Sequence, residues 1–266
     1  MSDLAPILSF EHVTKGFAGL IVIDNLSFDV RRNSRTALIG PNGAGKTTVF
    51  NLISGVYPLS SGTIRLEGQA INDVPSRHRI RLGIARNFQN IRLMPHLSAI
   101  ENVMIGQHSR SRGLANVLQP VSLVPGNRWR SAARDALAQA GLSHHEKALV
   151  GSLPYGVQKR IELVRAVEAD PRLLLLDEPA AGLNLTEKHE LSSLIEGIIA
   201  KGDRTLLVVE HDMQFIGALC ETVIVLNFGC KIAEGRPDEV RNNPLVQEAY
   251  LGKAVEDQAR EPDHAS

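Results

Sequence analysis

The sequence predicts an α/β protein whose core is a parallel sheet covered by helices on both faces. The main evidence for this fold class is a set of short, almost wholly apolar segments, which are typical of strands buried on both faces. Residues with helical periodicity separate these segments, and parallel strands need connections of that length. The segments are "TALIG" at 36–40, "RLLLLDEP" at 172–179, "RTLLVVEHD" at 204–212 and "ETVIVLNFG" at 221–229.

The first 70 residues add a smaller β element. "ILSFEHV" at 7–13 alternates between apolar and polar residues, and "LSFDV" at 26–30 has the pattern of its hairpin partner. "TIRLEG" at 63–68 ends in a turn glycine. These segments predict a small antiparallel sheet. Between them, "KTTVFNLISG" predicts a helix that ends at Gly55.

The middle and the end of the chain differ from this pattern. The middle is rich in Ser, Arg, Gly and Pro, and "RWRSAARDALAQAGL" after it predicts an amphipathic helix. We therefore predict a single domain over residues 7–252, with a core of 7–89 and 151–252 and a mainly helical lobe at about 90–150. Residues 253–266 are polar and broken by proline, which predicts a flexible tail.

Composition excludes several functional classes. Lys+Arg and Asp+Glu are equal at 29 each in 266 residues, so no general attraction to nucleic acid is expected. Cys220 and Cys230 do not have the spacing of metal ligands. We therefore expect both to be reduced thiols. No apolar run approaches the roughly 18 residues of a spanning helix. We expect a soluble chain that is able to dock on a membrane protein.

A phosphate-binding loop is the most specific motif. "GPNGAGKT" fits G-x-x-x-x-G-K-[ST] and lies between a buried strand and a helix, as the motif requires. Backbone N–H groups would surround the β-phosphate, Lys46 would contact the β- and γ-phosphates, and the Thr47 hydroxyl would bind Mg²⁺. The nucleotide-binding residues predicted here are Gly40, Pro41, Asn42, Gly43, Ala44, Gly45, Lys46, Thr47 and Thr48.

Acidic residues follow the strand at 172–179. Asp177 stands at the carboxyl end of this strand, where parallel sheets bind ligands. We therefore expect Asp177 to contribute to the Mg²⁺ shell. Glu178 is one residue further on and is expected to polarise the water that attacks the γ-phosphate. His211 follows the strand "LLVVE" at the same edge, and we expect it to contact the γ-phosphate and hold Glu178.

A second stretch, "SLPYGVQKRIELVRA" from Ser152, has the pattern of a helix start with Gly156 beside it. A helix N-terminus of this kind is able to bind a phosphate. The sequence therefore predicts two phosphate-binding ends in one chain.

Together these motifs resemble the ATP-binding subunits of ABC transporters, over about residues 7 to 252. The resemblance implies the ABC ATPase fold on a P-loop core, with ATP and Mg²⁺ as cofactors. It implies that Gln89 is the Q-loop residue that contacts Mg²⁺, that His211 is the switch histidine, and that Phe17 stacks on adenine. "LPYGVQKR" takes the place of the signature motif, so Leu153, Tyr155 and Gly156 would bind the nucleotide of a facing subunit.

The sequence departs from the family pattern at the signature motif and the D-loop. Pro154 lacks a hydroxyl and an N–H, Tyr155 replaces a glycine, Val157 replaces glutamine, and Asn184 replaces aspartate. Glu178, His211 and Gln89 are all retained, so we expect hydrolysis.

The segments "RNFQNIRLMPHLSAIENVMIGQH" and "NNPLVQEAYLG" further resemble the LivG-type subunits of branched-chain amino acid importers. This resemblance implies an ATPase that powers amino-acid import at the cytoplasmic face of the inner membrane. Its partners would be a LivF-like subunit or a second copy, transmembrane permease chains with a coupling helix near Gln89 to Leu97, and indirectly a periplasmic binding protein. Two alternatives stay open: a lipopolysaccharide-type lipid exporter, and a soluble ABC ATPase without a transport role.

Overall fold

The computed structural model describes residues 5–87, 91–107, 128–200 and 203–258. It forms two compact units. The first unit comprises the described residues up to Val74 and from Leu207 onward, and the second runs from Pro75 to Leu206.

The first unit contains a four-stranded antiparallel sheet of β1 (Leu8–Phe17), β2 (Leu20–Val30), β4 (Ser61–Leu66) and β5 (Gln69–Ala70). The order of the strands in this sheet is β2-β1-β4-β5. Phe10 and Phe28 stack in its core with ring centroids 4.5 Å apart, because the two residues are direct cross-strand partners. The sheet confirms the small antiparallel element predicted from residues 7–68.

The same unit contains part of the main sheet. Strand β3 (Arg35–Ile39) runs parallel to β9 (Thr222–Asn227), and β10 (Cys230–Gly235) returns antiparallel to β9. Helix α1 (Lys46–Ile53) follows β3 and buries Val49, Phe50, Leu52 and Ile53. The predicted strands at 36–40 and 221–229 are confirmed, whereas the sequence did not predict β10.

The second unit combines strands with the helical lobe. Strand β6 (Ile84–Asn87) runs parallel to β7 (Leu173–Asp177), and every residue of β7 is buried. The division of the chain into units falls between Leu206 and Leu207, within strand β8 (Thr205–Val209), and every residue of this strand is buried. Strands β7 and β8 are the strands expected from the apolar segments at 172–179 and 204–212.

Three helices of the second unit share one hydrophobic core. They are α3 (Ala99–Gln107), α4 (Arg128–Gln139) and α5 (Tyr155–Val167). The periodic segment "RWRSAARDALAQAGL" is thus confirmed as a helix. The shared core contains Leu93, Ala99, Ile100, Val103, Met104, Ala133, Leu137, Ala140, Leu142, Val150, Ile161 and Val164.

The unit boundaries differ from the sequence-based limits of the lobe near residues 90 and 150. The second unit extends further on both sides, since β6 packs against α5. The last helix continues over residues 253–258 of the segment predicted as a tail, where Ala254, Glu256 and Gln258 favour helix. The remaining helices are α2 (Ser76–Arg79), α6 (Leu185–Ala200), α7 (Met213–Leu219), α8 (Pro237–Arg241) and α9 (Pro244–Gln258).

None of the helices in the described ranges combines the length and the hydropathy that crossing a membrane requires.

Candidate functional site

The predicted phosphate loop connects β3 to α1 in the first unit. Gly40 has a φ of 151°, and a Cβ there would overlap the carbonyl oxygen of Leu226 in β9. Only glycine therefore fits between the end of β3 and its neighbouring strand. The loop closes on itself through a hydrogen bond of 3.1 Å from the Ala44 N–H to the Pro41 carbonyl. Thr47 is exposed in the first turn of α1, so its hydroxyl is accessible.

Lys46 is folded over this loop. Its Nζ donates to the carbonyl oxygens of Gly40 at 2.7 Å and Pro41 at 3.0 Å. The ammonium is thus positioned where the loop would surround a phosphate. A bound phosphate would replace neutral carbonyl oxygens with charged ones, which are stronger partners for an ammonium.

Two residues that the sequence did not single out support the loop. The Gly229 N–H, in the turn between β9 and β10, donates to the Ala44 carbonyl at 3.1 Å, and the Gly229 carbonyl accepts the Asp24 N–H at 3.2 Å. The Tyr250 hydroxyl of α9 hydrogen-bonds to the backbone of Gly40. Burial raises the pKa of the Tyr250 phenol, and this hydrogen bond partly opposes that rise. The turn sequence "NFGC" was a usable signal for Gly229, whereas Tyr250 lies in the segment "NNPLVQEAYLG", to which the sequence gave no role at the phosphate loop.

Phe17 is the last residue of β1 and is 37% exposed. Lys15 Nζ lies 4.6 Å from its ring centroid, and the Tyr57 ring packs against it edge-on with centroids 5.0 Å apart. The ring is therefore held on two sides while part of it stays open. A held and partly open aromatic ring is suited to stacking on a planar base.

The acidic strand end belongs to the second unit. Asp177 is the last residue of β7 and is 5% exposed. Arg86 of β6 pairs with it, Nη2 to Oδ2, at 2.7 Å. Glu178 follows with a φ of 47°, a left-handed conformation that is strained for a non-glycine residue. The sequence predicted Asp177 and Glu178 at this edge and missed Arg86.

His211 lies in the first unit, directly after β8. Its side chain is 68% exposed, and its Nδ1 lies 3.8 Å from Oε2 of Glu210, which is 1% exposed. The same oxygen accepts the His211 N–H at 3.1 Å. Asp212 then caps α7 by accepting the N–H groups of Gln214 and Phe215. Glu210 thus sets the position of His211, whereas the contact between His211 and Glu178 stays a prediction.

The predicted signature helix is α5. It begins at Tyr155, after Pro154 at the N-cap position, and no side chain caps it. Tyr155 is 45% exposed, and the carbonyl of Leu153 accepts the Gln158 side chain at 2.8 Å. Uncapped N–H groups in the first turn are the feature that binds anions at helix starts.

Glu187 of α6 reaches the start of this helix. Its carboxylate fills the space that a Cβ on Gly156 would need. Glu187 and Asn184 exchange hydrogen bonds, each backbone N–H donating to the other's side-chain oxygen at 3.0 Å. The predicted anion-binding end of α5 therefore has a carboxylate of its own chain beside it, which the sequence did not reveal.

Gln89 lies outside the described residues, but the segment after it is anchored on α5. The Arg92 N–H donates to Glu162 Oε1 at 2.8 Å, and Arg165 donates to the Arg92 carbonyl at 2.7 Å. Glu162 is 1% exposed; burial raises the pKa of its carboxyl, and the Arg92 N–H and Arg165 oppose the rise. Of the predicted docking segment, Leu93 is buried and Met94 is 45% exposed.

Comparison with known families decides the class. Residues 23–181, which include the phosphate loop, the start of α5 and the acidic strand end, match the family model described as ABC transporter. The chain belongs to the ABC transporter ATP-binding proteins. Residues 230–256 of this cassette also match a model described as branched-chain amino acid ATP-binding cassette transporter.

Relatives of full length support this membership. The cassette is 38% identical over 256 residues to the high-affinity branched-chain amino acid transport ATP-binding protein BraF of Pseudomonas aeruginosa, covering 94% of this chain and 99% of that protein. It is also 38% identical over 257 residues to LivG of Escherichia coli, again covering 94% and 99%. The predicted resemblance to LivG-type subunits is therefore confirmed.

Solved structures show the same fold. A nucleotide-free ATP-binding cassette of an ABC transporter superposes with a TM-score of 0.82 at 28% identity, covering 92% of this chain and 99% of that one. An ABC transporter cassette in its ADP conformation also superposes with a TM-score of 0.82, at 29% identity, covering 93% and 99%. The predicted ABC ATPase fold is confirmed. As a member of this family, the cassette is an ATP-binding ATPase, and membrane permease chains are its partners.

Proposed function

We propose that this cassette hydrolyses ATP to power the import of branched-chain amino acids through a partner permease. The observation that carries the substrate class is the match of residues 230–256 to the branched-chain amino acid cassette model. That segment comprises β10, α8 and most of α9, and its Tyr250 contacts Gly40 of the phosphate loop. The identities to BraF and LivG over nearly the whole chain support the same assignment.

ATP binding is assigned to the loop Gly40 to Thr48 and to Phe17. Lys46 exchanges its carbonyl partners for the β- and γ-phosphates, while the N–H groups at the start of α1 face the same anion. Adenine stacks on the open part of the Phe17 ring, whose orientation Lys15 and Tyr57 hold.

Mg²⁺ is assigned to Thr47, Gln89 and Asp177. Within the described ranges, no group of three or more His, Cys, Asp or Glu is placed to hold a metal ion. At a nucleotide site Mg²⁺ takes only one or two protein oxygens and completes its shell with phosphates and water. The Thr47 hydroxyl and the Asp177 carboxylate are hard oxygen donors of that kind. When bound, the ion would neutralise charge on the phosphate oxygens.

Hydrolysis is assigned to Glu178 as the group that polarises the attacking water. Its carboxylate follows the buried end of β7 and is only partly buried, so water is able to reach it. His211 is assigned to the γ-phosphate, and the buried carboxylate of Glu210 lies beside its ring, with Nδ1 and Oε2 3.8 Å apart.

Leu153, Tyr155 and Gly156 are assigned to the nucleotide of a facing ATPase subunit, either LivF-like or a second copy. The exposed Tyr155 and the uncapped start of α5 support this assignment. The cassette, as one domain over residues 7–252, would then act beneath the permease at the cytoplasmic face of the membrane, and a periplasmic binding protein would deliver the amino acid.

Reconstitution tests the proposal. The cassette is co-expressed with the permease chains and the second ATPase subunit and reconstituted in proteoliposomes, with ATP inside and binding protein outside. ATP-dependent uptake of labelled leucine, isoleucine or valine is expected, and Glu178→Gln should abolish it. Glu196→Gln, which neutralises an exposed carboxylate on α6, is the matched control and should leave uptake intact. ATP hydrolysis by the full complex without uptake of any branched-chain amino acid would refute the substrate assignment.

A further inference from the structure

Arg86 forms a buried ion pair with Asp177, and the assigned chemistry gives Arg86 no role. In the parallel pair of β6 and β7, Arg86 is the partner of Leu175. Leu175 and Asp177 share one face of β7, because side chains alternate along a strand. The Arg86 side chain therefore needs to extend only two residues along β7 to reach the carboxylate. Both side chains are almost excluded from water, at 7% and 6% exposure.

This pairing changes what Asp177 offers to a cation. An unpaired carboxylate at a strand end is a hard oxygen ligand with a full negative charge. Paired with a guanidinium at 2.7 Å, the carboxylate belongs to a neutral group with one oxygen already occupied. A divalent cation approaching Asp177 therefore meets no net negative charge from the pair itself, and it also meets the repulsion of the arginine.

We propose that Arg86 makes divalent-cation binding at Asp177 conditional on nucleotide. The inference rests on the proposed function, in which Asp177 contributes to the Mg²⁺ shell. The triphosphate brings the negative charge that the ion pair lacks, so the cation binds together with ATP and not before it. Arg86 is thus a positioning residue: it fixes the carboxylate and sets its charge without contacting substrate.

Cation binding without nucleotide tests this directly. Mn²⁺ replaces Mg²⁺, and the free Mn²⁺ signal in electron paramagnetic resonance measures binding to the nucleotide-free cassette. Arg86→Met is expected to bind Mn²⁺ at least about tenfold more tightly than the unmodified protein. Arg86→Lys keeps the charge and should behave like the unmodified protein. Arg204→Met, which removes an arginine paired with the mostly exposed Asp170, is the matched control and should gain no binding.

A double variant locates the gained site. In Arg86→Met/Asp177→Asn the gained Mn²⁺ binding should disappear.

The same variants have a stability readout: Arg86→Met leaves a buried carboxylate unpaired and should lower Tm by about 5 °C or more, and the added Asp177→Asn should restore much of the loss. If Arg86→Met does not fold, Arg86→Gln, which retains a donor without the charge, carries the same expectations.

The outcomes separate this inference from the proposed function. The inference is overturned if neither neutral variant gains Mn²⁺ binding, or if the gain persists in the double variant. The metal role of Asp177 is tested separately by the tightening of ATP binding that Mn²⁺ produces. If Asp177→Asn retains the full tightening, the proposed metal assignment fails. If Asp177→Asn loses it while Arg86→Met gains no binding, only the role of Arg86 is wrong.

Discussion

Substitution of Gly229 by alanine should destabilise the phosphate loop from outside the motif. Gly229 has a φ of 80°, and a Cβ there would overlap the Val22 carbonyl oxygen and lie 2.9 Å from the Ile23 Cα. A left-handed alanine costs about 1 kcal/mol. Forcing a methyl group into packed backbone costs about 1–3 kcal/mol more. Gly229→Ala should therefore lower the free energy of unfolding by about 2–4 kcal/mol.

Gly68→Ala is the matched control. Gly68 lies in the same unit with a φ of 78°, but its added Cβ would meet nothing within 4 Å. Only the left-handed backbone term of about 1 kcal/mol then applies. Thermal unfolding of the nucleotide-free protein should show a decrease in Tm of about 2–4 °C for Gly68→Ala and about 5–15 °C for Gly229→Ala.

A second measurement links this change to function. Gly229 donates to the Ala44 carbonyl, so displacement of the turn should also weaken binding of a fluorescent ATP analogue several-fold. Gly68→Ala should leave that affinity unchanged. Equal Tm values for the two variants, or full ATP affinity in Gly229→Ala, would refute the argument that this turn holds the loop.

Four further predictions concern single side chains. Lys46→Ala should abolish tight ATP binding, measured by fluorescence titration, because no other charge of the loop replaces the ammonium. Glu178→Gln should abolish turnover but accumulate ATP-bound dimers with the partner ATPase subunit, measured by size-exclusion chromatography. In that background, Glu187→Gln should lower the ATP concentration needed for dimerisation by removing a carboxylate beside the start of α5. Burial raises the pKa of Cys220 to about 12, so in Cys230→Ser the remaining thiol should be inert to a thiol reagent at pH 8 and react only on unfolding.

Each of these predictions has a contradicting result. Unchanged nucleotide affinity in Lys46→Ala, or normal turnover in Glu178→Gln, would remove those residues from their assigned roles. Glu190→Gln neutralises a carboxylate on the same helix that pairs with Arg160, and it should not shift dimerisation. An equal shift in both variants would exclude a local effect of Glu187. Fast labelling of Cys220 in the folded protein would show that its region opens readily.

The sequence predicted the buried strands well for a physical reason. Strands covered on both faces must be apolar throughout, so β7 and β8 stand out from their surroundings. Strand β10 is only half-buried and mixed in character, and β6 is four residues long and includes Arg86. Such strands depend on their neighbours more than on their own composition, so no local pattern reveals them.

The residues of the candidate site also fall into a predictable and an unpredictable group. The phosphate loop and the acidic strand end were predictable because their chemistry needs fixed residue types at fixed spacing. The partners that hold them were not predictable. Arg86 pairs with a residue 91 positions away, and Tyr250 reaches Gly40 from the last helix. Contacts over such separations depend on the fold and leave no signature in the local sequence.

Three of the groups assigned to the nucleotide and its metal ion have a partner within their own unit. Lys46 contacts the carbonyls of its loop, Asp177 pairs with Arg86, and the start of α5 faces Glu187. ATP and Mg²⁺ must therefore exchange these contacts for new ones, and the binding energy is the difference between the two sets. These three groups are therefore compensated before the nucleotide binds, which favours the nucleotide-free form. For a transporter ATPase this matters because the cycle must return to that form after each turnover, and self-paired charges favour the return once the γ-phosphate has left.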